Sequence, residues 1–179
     1  YNVRSHLTND LQAAVAVDGW TLENLRGQVD QFVIHFDVAG TSRICFKVLQ
    51  DMRNLSVPFM LDVDGTIYQT LDLKERAWHA TVANDRSIGI EIAQMGCYPN
   101  AQTLDKWYER DAAGWPYQIL LGNETGLRIP NFIARPARKD IVSGPIRGRT
   151  YYQYDFTNEQ YEALIKLVAT LHCALPRMQ

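Results

Sequence analysis

The sequence predicts an α/β domain, a central mixed β-sheet flanked by helices. Three observations carry that prediction. Gln31 to Asp37 reads QFVIHFD, a short β-rich run of the kind that forms a strand. Ser56 to Asp62 (SVPFMLD) and Thr66 to Thr70 (TIYQT) flank an Asp64-Gly65 turn, a hairpin signal that excludes a purely parallel sheet. From Tyr161 to Leu175 apolar residues recur at spacings of three and four, the pattern of a helix lying on a core.

Composition is consistent with this. A chain of 179 residues, 46% hydrophobic and 21% charged, suits one domain with a sizeable core. Its formal net charge of −2 argues against a nucleic-acid-binding surface. No apolar run approaches the length of a membrane span, and no signal-peptide pattern is visible, which leaves the compartment open. Cys45, Cys97 and Cys173 are too widely spaced for a disulfide framework and read as thiols.

Taken in order, Gln31 to Asp37 is expected to be a central strand. Thr41 caps a following helix whose apolar residues Ile44, Val48, Leu49 and Met52 share a face. The hairpin comes next, and then Ser87 to Gln94 as a further strand. Residues 95–155 are richer in Gly, Pro and aromatics, and read as long ordered loops with a short helix near Leu104 to Asp111. The last helix begins at a capping box, Thr157 with Gln160, and Phe156 is placed to staple onto Tyr161. Its core stripe is Tyr161, Leu164, Ile165, Val168, Leu171, His172 and Leu175.

The polar residues inside this frame are the candidates for chemistry. His35 sits near the end of an apolar strand, as a structural histidine or as a metal ligand, since neutral imidazole suits zinc. His79 follows Trp78 and reads as a partly buried loop histidine or part of a cleft wall. Glu91 lies in SIGIEIA, where burial makes a carboxylate costly unless it is paired, metal-bound or protonated. Apolar flanks would raise its pKa and suit it to general acid–base work. His172 reads as a helix histidine, His6 has no informative context, and a turn explains Asp62 and Asp64.

The succession VIHFD, SVPFMLDVDGTIYQTLD, AWHA and NDRSIGIEIA resembles the zinc-dependent N-acetylmuramoyl-L-alanine amidases, a superfamily that includes the peptidoglycan recognition proteins. The resemblance runs from Val33 to Gly96, with weaker similarity from Tyr152 to Leu171. It implies a mixed sheet carrying a zinc in a groove, and peptidoglycan or a muropeptide as the substrate. By the same resemblance His35 matches the first zinc ligand and Glu91 the acidic residue facing the zinc-bound water. His79 matches a histidine that lines the substrate groove. His35 is then expected to open onto the main groove, with Glu91 on an adjacent strand aimed the same way.

Two departures accompany the resemblance. Similar proteins carry their remaining zinc ligands near the C-terminus, whereas this sequence ends at LPRMQ, just past the last helix. Residues 1–179 are therefore expected to form a single amidase-like domain lacking its C-terminal zinc-ligand segment, or one that has lost metal and activity. The latter would serve as a muropeptide-binding module or as a structural subunit with protein partners in a larger assembly. The second departure is Val57-Pro58, where relatives often carry a histidine. Proline there favours an edge strand or a bulge.

Overall fold

The computed structural model describes residues 19–120 and 126–179; His6 lies outside them. Helix α1 (Leu22–Gln28) opens the described chain on a capping box formed by Thr21 and Asn24. Strand β1 (Gln31–Phe36), helix α2 (Ser42–Lys47), a π-helical turn (Val48–Arg53), β2 (Phe59–Leu61), β3 (Ile67–Gln69) and β4 (Ser87–Ile92) follow. Two small hairpins, β5–β6 (Tyr108–Arg110, Pro116–Gln118) and β7–β8 (Val142–Ile146, Arg149–Gln153), precede helix α3 (Asn158–Ala174).

The central sheet has the order β1-β4-β2-β3. β4 pairs in parallel with both β1 and β2, while β2 and β3 form the antiparallel hairpin, so the sheet is mixed. The turn is built as its residues demand: Gly65 holds φ 80, and a Cβ there would come within 2.9 Å of the Glu159 carbonyl oxygen. One sheet face carries Phe59, Leu61, Ile88, Ile90 and Ile92 into a core with Leu171 of α3 and Leu175 at its C-terminal cap. The opposite face packs Met60 against Cys45 and Leu49 of the α2 region.

Several local expectations are met. Thr41 Oγ1 accepts from the Ile44 amide, the Thr157–Gln160 capping box forms, and Phe156 meets Tyr161 edge-on at 6.1 Å. Others are corrected. β1 lies at the edge among the described strands, leaving Ile34 56% and Phe36 42% exposed, because β4 inserts between it and β2. Cys45 and Leu49 face inward from the α2 region, whereas Ile44 and Met52 are exposed. The turn from α2 into a π-helix shifts the residue period and rotates the expected stripe. In α3, Leu164 and Leu171 contribute to the core as expected, with Leu175 at the helix's C-terminal cap, joined by Ala163, Leu167 and Ala174, while Ile165 and His172 face out. Pro58 is neither on an edge strand nor in a bulge. It is buried just before β2, where no ladder donor is needed, and its carbonyl accepts from the Thr70 amide. Residues 95–155 hold the two hairpins in place of loops alone, and the short helix is a 3-10 segment at Ala101–Lys106.

Candidate active site

Alternation along β4 explains its glutamate. Ile88, Ile90 and Ile92 point into the α3 core, so Ser87, Gly89 and Glu91 occupy the other face. The parallel register sets Glu91 directly opposite His35 on β1 and opposite Met60 on β2. His35 and Glu91, far apart in the chain, are thus neighbours on one face of the sheet.

His79 joins them from the turn before β4. The Asn84 side chain, itself buried, accepts from the His79 and Ala80 amides at 3.1 and 2.7 Å, which fixes that turn. The imidazole lies over Gly89, where a Cβ would come within 2.5 Å of its Cε1 and Nδ1 atoms. His79 Nδ1 is 3.0 Å from His35 Nε2, and its Nε2 is 3.2 Å from Ser87 Oγ. The two rings stand edge to face at 5.3 Å. One nitrogen of the His35–His79 contact donates and the other accepts, so their tautomers are linked. A serine, histidine and second histidine in hydrogen-bonded series could suggest a nucleophile, but Ser87 is fully buried and serves to orient His79. Beside them Arg76 stacks on the half-exposed Trp78 at 4.1 Å.

The electrostatics of this face are those of buried, undercompensated acids. Burial, reinforced by the nearby Asp37 charge, pushes the Glu91 carboxyl up to about 7, and its Oε2 atom has no hydrogen-bond partner. Burial also raises Asp37 to about 7, against the pull of amide donors from Ala39, Gly40 and Gln94 on its Oδ1. Its Oδ2 is buried and unpaired. Burial lowers His35 below its ordinary value, which keeps it neutral near pH 7. Cys45 is buried next to Asp37 and Glu91, and burial with those charges pushes its thiol far up, making it an inert S–H group.

Asp37 and Cys45 were not singled out from the sequence. Asp37 was readable in principle, because it stands two residues after His35 and therefore on the same strand face. Cys45 had no comparable signal. A groove of about 600 Å³ lies elsewhere, between α2, the β2–β3 hairpin and Gly126–Arg128. His35 is not among the residues that line it. His172, on the last helix, is exposed and its Nδ1 lies 3.3 Å from the Met178 carbonyl oxygen.

Among the described residues no three His, Cys, Asp or Glu side chains gather as a metal-binding set. Zinc needs three or four such ligands, and His35 Nε2 is already engaged by His79. These residues alone do not fit a zinc ion.

A mixed sheet with helices on its faces is the α/β architecture of an amidase-type domain. The chain belongs to the N-acetylmuramoyl-L-alanine amidase family, whose model matches residues 25–177. A comparison with curated proteins finds no match. No helix among the described residues is long and apolar enough to cross a membrane.

Proposed function

We propose that the domain hydrolyses the amide between N-acetylmuramic acid and L-alanine in peptidoglycan, with Glu91 as the proton-transferring group. The observation that carries this reading is Glu91 itself, an unpaired carboxyl raised to about 7 and in register with His35. Near neutral pH both of its protonation states are populated, which a group that first takes and then returns a proton requires. Glu91 removes a proton from the attacking water and delivers it to the departing L-alanine amine. His79, fixed through Asn84, Ser87 and His35, lines the substrate side of the site and sets the His35 tautomer.

The reading keeps His35 as one ligand of a zinc ion, with the remaining ligands coming from outside the described residues. Zinc, when bound, would supply Lewis-acid polarisation. The proton path above is what the described side chains account for.

A second reading has a specific observation in its favour. His35 Nε2 is satisfied by His79 without a metal, which suits a non-catalytic domain that binds muropeptide or serves a larger assembly. Metal analysis of the full-length protein together with a muropeptide cleavage assay separates the two. One zinc per chain with cleavage sustains the amidase. A folded, metal-free protein that cleaves nothing leaves the binding domain.

A further inference from the structure

We propose that the groove between α2, the β2–β3 hairpin and the segment Gly126–Arg128 is a second binding site, taking an acidic peptide that carries an apolar residue beside its carboxylate. The inference does not rest on the reaction proposed above, because none of His35, His79 or Glu91 lines this groove.

Charge is the first argument. Among the described residues that line the groove, Arg43, Lys47 and Arg128 stand against a single carboxylate, Asp51, in a chain whose net charge is −2. None of these three cations takes part in an ion pair among the described residues. Their charges are therefore available to an incoming anion, and guanidinium groups match carboxylates in pairs of parallel hydrogen bonds. The second argument is an orphaned polar atom. Ser42 lines the same groove at 2% exposure, and its hydroxyl is buried without a hydrogen-bond partner. Buried hydroxyls are usually paired, so the wall of this groove carries a hydrogen-bond donor that the described residues leave unused.

The apolar half of the ligand follows from the remaining lining. Met60, Leu127 and the 42% exposed ring of Phe46 give the groove an oily surface beside its charges. A volume of about 600 Å³ suits a short peptide segment.

The site is also built in advance. Asp64, 4% exposed, accepts the Arg128 and Ile129 amides on Oδ2 at 3.0 and 3.1 Å, fastening their segment to the hairpin turn. Tyr68 donates its phenol proton to the Gly126 carbonyl at 3.2 Å, and the Arg128 guanidinium sits 5.9 Å from the Tyr68 ring centre. Gly126 has φ +77, and a Cβ there would come within 2.9 Å of Arg43 Cδ, so the backbone rests on that arginine. A wall held this way loses little freedom when a ligand arrives.

The test is calorimetric titration of the full-length protein with N-acetyl-Ala-Glu-Leu-Ala, against the same peptide with both carboxyls amidated. The free acid should bind at least tenfold more tightly, and the R43Q/K47Q double variant should lose that difference. Glu91→Gln should bind the acid as the wild type does, which separates failure of this site from failure of the proposed hydrolysis. If the double variant does not fold, the salt dependence of wild-type binding replaces it, and affinity should fall at least tenfold between 50 and 500 mM NaCl, test concentrations spanning roughly a threefold drop in screening length. Equal binding of the two peptides, absent binding, salt-independent binding, or loss of binding in Glu91→Gln would each overturn the proposal.

Discussion

The imidazole of His79 occupies the space that a side chain at Gly89 would fill: a Cβ built there meets Cε1 and Nδ1 of the ring at 2.5 Å. Gly89 has no positive φ, so the restriction is steric and comes from the ring alone. Gly89→Ala should therefore displace His79, break its contact with His35, and destabilise the fold by about 1–3 kcal/mol through overpacking. Adding His79→Ala removes the ring and should recover most of that loss. A double-mutant cycle by urea denaturation measures the coupling, and additive losses would show that the ring is not the obstacle.

Glu91→Gln keeps the shape of the side chain and removes its proton chemistry. Muropeptide cleavage should fall by about 10²–10⁴-fold while circular dichroism and metal content stay as in the wild type. Retention of most of the wild-type rate would remove Glu91 from the proton path.

Stability should depend on pH in a definite direction. Glu91 and Asp37 are raised to about 7 and Asp62 to about 6, in each case chiefly by burial. Unfolded carboxyls titrate near 4. Between those limits the folded chain binds more protons than the unfolded one, so the contribution of these groups is fully present below about pH 4. It is lost as pH rises through 6 and 7. The urea midpoint should therefore drop from pH 5 to pH 8, and it should drop less in Glu91→Gln. Identical slopes in the two proteins would refute the assignment. Because Asp37 lies close to Glu91, the titration belongs to the pair.

Asp64→Ala tests the fastening of the groove wall. The substitution strands the amides of Thr66, Arg128 and Ile129, which the carboxylate now accepts at 3.0 to 3.1 Å. A loss of about 2–4 kcal/mol is expected, since bonds to a charged acceptor contribute about 1.5–3 kcal/mol each and water recovers part. Amide exchange at Arg128 and Ile129 should accelerate before that of β4. Unchanged exchange at those positions would mean the segment is held by other contacts.

What could be read in the sequence was whatever depends on short-range pattern. The Asp64-Gly65 hairpin, the Thr41 and Thr157 caps and the pairing of Phe156 with Tyr161 are decided within a few residues, and each formed as read. The order of strands is set by packing between distant segments, so QFVIHFD gave its strand but not its place at the edge of the described sheet. The α2 stripe was misplaced because a π-turn is not encoded in a 3.6-residue period. In SIGIEI, an alternation of small or polar residues with isoleucine was present all along and separates Glu91 from the core. The contact between His35 and His79 had no sequence signal, because it depends on a turn folded back over Gly89.

β4 lies between β1 and β2, although both precede it in the chain. A nascent polypeptide that has emerged only as far as Ala77 holds two strands with no partner between them, each offering unpaired backbone groups to other molecules. The parallel pairings must also close long loops before any ladder bond rewards them, which slows folding. The strand that seals those edges is the one that bears Glu91. Emergence of Ile92 therefore marks the point at which the inward edges of β1 and β2 can first be paired, while the core face of β4 still waits for Leu171 and Leu175 to cover it. Intermediates stalled there are the species a chaperone would meet.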